Sequence, residues 1–266
     1  MTNEFFPLLM LGVAALFAGF IDAVVGGGGL IQVPTLFSLY PDTVPAKLFG
    51  TNKISSLIGT SNSAIRYVRS VRMPWSATLP AAGAAFVFAY LGSMSVAWLP
   101  RDLLRPMILV LLIGAAVYTF RRKEFGTSHQ PRHHGRHEFF RALLLGAVIG
   151  FYDGFFGPAA GSFYALAFVT LCGFNLAKAT AHAKLLNATS NIGGLLLFIL
   201  GGKVIWATGF VMLVGQFLGA RMGSRLVLSK GQKLIRPMIV IVSAVMSAKL
   251  LYDSHGQEIL HWLGMN

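Results

Sequence analysis

The chain alternates long apolar runs with short polar turns, and within each run the apolar positions are continuous. Runs long enough to cross a hydrocarbon core of about 30 Å, which takes roughly 20 helical residues, occupy 5–25, 47–66, 74–98, 102–120, 140–157, 177–200, 204–228 and 234–252. Two further apolar pieces, at 30–40 and 161–172, are too short to reach across. Lipid admits only structures that satisfy their own backbone hydrogen bonds, and a barrel would show two-residue alternation. The pattern therefore predicts an all-α polytopic membrane protein.

The pattern also repeats. Gly19-Phe20-Ile21-Asp22 and Gly26 return 131 positions later as Gly150-Phe151-Tyr152-Asp153 and Gly157. The same offset, without insertion or deletion, lays Ala46-Lys47 on Ala177-Lys178, Lys53 on Lys184, Trp75 on Trp206, Gly92 on Gly223, and Arg105-Pro106-Met107-Ile108 on Arg236-Pro237-Met238-Ile239. This divides the chain into a first membrane repeat at 1–120, a basic linker at 121–139 and a second membrane repeat at 140–266. Duplicated apolar chains with ionisable residues at matched depths suit transporters, whose two halves enclose one central site.

Composition supports membrane residence. With 55% hydrophobic residues, 12% charged residues and a mean hydropathy of +0.66, the chain cannot cover a water-soluble globule. Its net charge of +13 would suggest nucleic acid in a soluble protein, but here the cations sit at the ends of apolar runs, where orientation explains them and no nucleic-acid partner is implied. The stretch Met1–Pro7 has no basic residue and carries Glu4, so the first run reads as a retained span, not a signal peptide. Cys172 is the single cysteine, which leaves no internal disulfide and no cysteine metal site.

Charge in equivalent loops bears on orientation. The linker, with Arg121, Arg122, Lys123, Arg132 and Arg136 and with Arg141 just beyond it, reads as cytoplasmic, and Arg66, Arg69 and Arg72 mark a second cytoplasmic turn. Their counterpart near 197–203 has only Lys203, whereas 229–236 holds Lys230, Lys233 and Arg236, with Arg221 and Arg225 just before. The bias flips between repeats. An inverted pair is preferred, each half a broken or re-entrant hairpin followed by about three full crossings, with both termini outside.

Several residues could carry chemistry. The run Val25-Gly26-Gly27-Gly28-Gly29-Leu30 breaks a helix at membrane depth, and Gly157-Pro158-Ala159-Ala160-Gly161 breaks the second copy by another route. Such breaks bare backbone N–H groups at the start of a half-helix whose dipole favours an anion; close helix packing through small residues is the alternative. Beyond Gly50-Thr51-Asn52, Lys53, Ser56 and Thr60 share one helical face, matched by Lys184, Asn187 and Asn191 with Ser190 and His182 alongside. An ionisable residue inside the membrane is functional by default, though a lysine near a helix end can snorkel and a Ser/Asn stripe can glue helices. Asp22 and Asp153 precede their breaks by one turn. Each either pairs with a lysine of its own or the opposite repeat, or picks up and releases a proton. Arg105-Pro106 and Arg236-Pro237 start helices. His129, His133, His134 and His137 lie in a flexible linker with no cysteine or acidic partners, so no metal is expected there.

At these residues the chain resembles the sulfite exporter TauE/SafE family of bacterial membrane proteins, most closely its YfcA-like members. The resemblance rests on Gly19-Phe20-Ile21-Asp22 through Leu30, on Thr51-Asn52-Lys53, on Gly150 through Pro158, and on Lys184 with Asn187, Ser190 and Asn191. The family pattern after the second proline usually reads Gly-Thr-Gly-Ser-Phe; here it is Ala159-Ala160-Gly161-Ser162-Phe163. The resemblance implies a bacterial inner-membrane carrier of small anions such as sulfite, sulfonates and other organosulfur oxyanions.

The residues lead to the same class. Lys53 and Lys184 are expected to supply charge; Thr51, Asn52, Ser56, Thr60, His182, Asn187, Ser190 and Asn191 to orient an oxyanion; and Gly27, Gly28, Gly29, Gly161 and Ser162 to donate from the backbone. Asp22 and Asp153 serve coupling or structure. The expectation is a secondary transporter, an exporter, that is not an enzyme, needs no cofactor and has no phosphate loop for ATP. Its partners are the anion, the bilayer and protons or another coupling ion, with a homodimer left open. The alternatives are a channel-like anion facilitator and an intramembrane enzyme pairing His182 with an aspartate.

Overall fold

The structure is a computed structural model that describes residues 5–96 and 136–230. The spans expected at 102–120 and 234–252, Arg105-Pro106, Arg236-Pro237 and the histidines at 129, 133 and 134 lie outside the described residues. Eight helices account for nearly everything described, and no strand occurs among these residues: α1 (Phe5–Val25), α2 (Gly29–Leu39), α3 (Pro45–Ser70), α4 (Trp75–Ser95), α5 (Arg136–Phe155), α6 (Ala160–Cys172), α7 (Leu176–Leu200) and α8 (Trp206–Lys230). Arg136–Phe139, at the end of the expected linker, are helical and form the first turn of α5.

Helix starts keep the offset of 131: 5 and 136, 29 and 160, 45 and 176, 75 and 206. The devices that start equivalent helices differ. Pro45 sits in the first turn of α3 after extended Val44, while Asn175 caps α7 by accepting from the Lys178 N–H at 2.9 Å. Four described helices are long and apolar enough to cross a membrane: Phe6–Val24, Trp75–Ser95, Leu176–Leu200 and Trp206–Ser229. The 26-residue α3 is about 39 Å long. It falls outside that set because of polar residues that it turns inward, burying Thr51, Asn52, Lys53, Ser55, Thr60 and Ser63.

Small residues let helices from the two halves touch backbone to backbone, a packing mode suited to lipid, where no hydrophobic effect drives helices together. Gly146, Gly150 and Gly154 of α5 lie against the carbonyls of Ala81, Ala85 and Ala89 of α4; a methyl group on Gly154 would come within 1.9 Å. Gly12 and Gly19 of α1 meet Val211 and Gln216 of α8, and Gly223 meets Phe20. Residue numbers rise together in both interfaces, so α4 runs parallel to α5 and α1 parallel to α8. Thr51 pairs with Ile205 and Ser55 with Met212, which sets α3 parallel to α8 as well. With the tight turns at 71–74 and 201–205, α1, α3 and α8 point one way and α4, α5 and α7 the other. Equivalent helices of the two halves therefore run in opposite directions, and Arg66, Arg69, Arg221 and Arg225 come to the same end of the bundle.

Candidate functional site

The two breaks meet near the centre of this arrangement. Gly26 (φ 91) ends α1 and Gly157 (φ 92) follows α5, both in the left-handed region that glycine adopts without strain. A methyl group on Gly26 would lie 2.6 Å from the Ser162 nitrogen, and one on Gly29 3.2 Å from Pro158 Cα, so each break packs on the other. Beyond these glycines the breaks diverge. Gly28 has ordinary helical torsions (φ −57), whereas its counterpart Ala159 is left-handed (φ 64), the one positive-φ residue other than glycine among the described residues.

Each lysine reaches the aspartate of the opposite half. Lys53 Nζ donates to Asp153 Oδ1 at 2.6 Å, to the Asp153 carbonyl at 2.7 Å and to Asn191 Oδ1 at 3.0 Å. Lys184 Nζ donates to Asp22 Oδ2 at 3.1 Å and to the Asp22 carbonyl. Both lysines are at most 3% exposed. Where α5 breaks, the Gly157 N–H joins that of Phe156 on the Tyr152 carbonyl, which leaves the Asp153 carbonyl at the negative end of the helix dipole for an ammonium to meet. Ser190 donates to Asp153 Oδ2, and the Gly28 N–H donates to Asp22 Oδ1 at 3.4 Å.

Between the breaks lies a cavity of about 20 Å³, room for about one water. Its wall includes Lys53, Asn52, Ser56, Thr60, Asn187 and Asn191, with Asp22, Asp153 and the backbone at Gly26, Gly29, Gly157, Ala159 and Gly161. Asn191 Nδ2 donates to Asn187 Oδ1 at 3.2 Å and Thr60 Oγ1 at 3.4 Å, which knits the two polar stripes together. Asn52 Oδ1 is buried with no partner.

Not every residue expected at the site lines this cavity. Lys184 and Ser190 stand behind the aspartates they hold. Thr51 donates to the Lys47 carbonyl and accepts from the Ile205 N–H at 2.9 Å, so it serves the start of α8. Gly27 and Gly28 lie outside the wall, the latter with its N–H given to Asp22; the Ser162 backbone packs on Gly26. His182 sits between the rings of Phe168 and Phe174 at 5.1 and 5.0 Å, with Nδ1 on the Lys178 carbonyl and Nε2 unpartnered, and makes no hydrogen bond to either aspartate.

The expectations above omitted two features. Ala159 lines the cavity in a strained conformation, and its signal was the alanine where the family pattern has glycine. A buried cluster in which Gln32 Nε2 donates to Ser55 Oγ at 2.9 Å and Gln216 Oε1 at 2.7 Å spans both halves and has no symmetry-related copy, because the positions offset by 131 are Phe163, Leu186 and Ala85. Lone glutamines in apolar helices gave no periodic signal. Among the described residues no group of three or more His, Cys, Asp or Glu is placed to hold a metal.

Comparison with known proteins now adds to this geometry. A family model described as "Sulfite exporter TauE/SafE" matches residues 11–250. The chain is 61% identical over 261 residues to "Probable membrane transporter protein YfcA" of Escherichia coli (strain K12), covering 97% of this chain and 96% of the relative. It is 42% identical over 261 residues to "Probable membrane transporter protein ORF9" of Sinorhizobium sp, covering 98% of each. A "Probable membrane transporter protein" of Haemophilus influenzae is 39% identical over 250 residues, covering 92% of this chain and 95% of the relative. No solved structure matches.

Proposed function

The chain belongs to the sulfite exporter TauE/SafE family, and from that premise we propose that it is a secondary transporter that exports small organosulfur oxyanions, sulfite or sulfonates, by alternating access. Its bacterial relatives and four membrane-capable helices make it a multi-pass protein of the inner membrane. The observation that carries the proposal is the crosswise pairing of Lys53 with Asp153 and Lys184 with Asp22 beside two helix breaks. Buried charges at symmetric positions, each tied to the other half, are expected where two halves move against each other around a site. Opposed helix directions in the two halves support reading the duplication as inverted.

Lys53, Asn52, Ser56, Thr60, Asn187 and Asn191 offer ammonium, hydroxyl and amide donors to an oxyanion. The enzyme alternative finds less support, because His182 is held between aromatic rings away from both carboxylates. A channel-like facilitator is separated from a carrier by rate and by indifference to an ion gradient.

A thermal-shift screen tests the substrate class. Sulfite, sulfonates, thiosulfate and carboxylates are added to purified protein; a ligand at 100 times its dissociation constant stabilises the state it binds by about 2.7 kcal/mol. Stabilisation by organosulfur anions over carboxylates is expected. A carboxylate preference would move the substrate class, and a flat response to every anion would defeat the reading.

A further inference from the structure

We infer that Asp153 is a proton-binding residue of the anion site, so that each monovalent anion enters together with one proton. The inference rests on the carrier reading above. An ammonium group has three N–H donors, and all three on Lys53 are taken, by the Asp153 carboxylate, the Asp153 carbonyl and Asn191. An arriving anion finds no free donor there and must replace an acceptor.

Charge balance makes the same demand independently. Among the described residues, the site holds two lysines and two aspartates, paired crosswise and all buried. Their charges sum to zero. An anion added to this set leaves one negative charge without a counterion in a buried site, a state penalised by desolvation. A proton on one carboxylate restores neutrality, releases its lysine and opens space in a cavity that otherwise holds about one water.

The geometry selects Asp153 over Asp22. Lys53 and Asp153 both line the cavity, whereas Lys184 does not. The Ser190 hydroxyl on Asp153 Oδ2 can turn from donor to acceptor, so the protonated carboxyl keeps a partner. The groups around Asp153 are Lys53 from α3, Ser190 and Asn191 from α7, and Asp22 from α1, whose charge acts on it unfavourably while being held by Lys184 of α7. Tyr164 of α6 gives its hydroxyl to the Gly146 carbonyl, Tyr152 of α5 gives its own to the Pro158 carbonyl, and α4 brings no charged side chain.

The experiment is isothermal titration of the full chain in detergent with methanesulfonate, which stays fully ionised, in two buffers of different protonation enthalpy at one pH. About one proton taken up per anion bound is expected, with affinity falling roughly tenfold per pH unit of increase, as one linked proton requires. Asp153→Asn should bind without proton uptake and lose the pH dependence. Binding by the wild type with no proton uptake overturns the inference and leaves the carrier reading standing; absence of binding defeats both. If Asp153→Asn fails to fold, the wild-type count still tests the coupling, and Asp22→Asn, which should keep the proton uptake, tests the choice of Asp153; loss of uptake in that variant would overturn it.

Discussion

The two cross-paired ion pairs occupy equivalent positions and are built differently. Lys53 has three acceptors drawn from α5 and α7, and it forms part of the cavity wall; Lys184 has two, both from Asp22, and stands outside it. The residues around them differ as well. Ser190 supports Asp153, but its counterpart is Gly59, whose missing side chain makes room for Gln216: a methyl there would come 2.5 Å from that side chain. Asn52 lines the cavity, while its counterpart Ala183 is packed among apolar residues. Helices at matched positions thus frame both pairs, and of the four charged groups Lys53, Asp153 and Asp22 line the cavity while Lys184 stands behind Asp22.

The largest effect expected from this difference is on folding. Removing one partner of a buried pair leaves an uncompensated charge, at about 3–5 kcal/mol. Lys184→Ala should therefore lower stability to chemical unfolding by about that amount, with loss of transport following from it. Adding Asp22→Ala should recover most of the stability. If the double variant is as unstable as the single one, Lys184 does more than balance Asp22.

A smaller effect separates the two breaks. Ala159 holds a left-handed conformation that costs a non-glycine residue roughly 1–2 kcal/mol, while Gly28 is helical and tightly enclosed, with the Ala18 carbonyl 2.7 Å from where its Cβ would lie. Ala159→Gly should raise the melting temperature, by an amount equivalent to about 1 kcal/mol. The equivalent exchange in the first break, Gly28→Ala, should lower it. Effects of the same sign at both positions would mean that the breaks are not distinct in the way their torsions indicate.

Much of this was readable from the chain. The apolar runs marked α1 through α8 to within a few residues, because membrane helices must be continuously apolar where lipid touches them. The glycine and proline clusters marked both breaks, and the i, i+3, i+7 spacing put Lys53, Ser56 and Thr60 together. The partner of each lysine was not readable: pairing within a half and pairing across halves satisfy the same local pattern, and only the packing of α5 and α7 against α3 chooses. The roles of Thr51 and His182 were hidden for a related reason. Each lies on a polar stripe in sequence, yet a carbonyl one turn back and a neighbouring helix start or ring pair claim their polar atoms.

The account's central claim, that Lys53 is the cation around which an anion is carried, is tested most directly by flux of radiolabelled sulfite in sealed proteoliposomes. Wild-type protein should move the anion down an imposed gradient. Lys53→Ala paired with Asp153→Ala, which keeps the buried site neutral, should lower that rate by about 100-fold or more, equivalent to about 2.7 kcal/mol, in protein whose helical circular-dichroism spectrum matches the wild type. Wild-type flux in the doubly substituted protein would contradict the account.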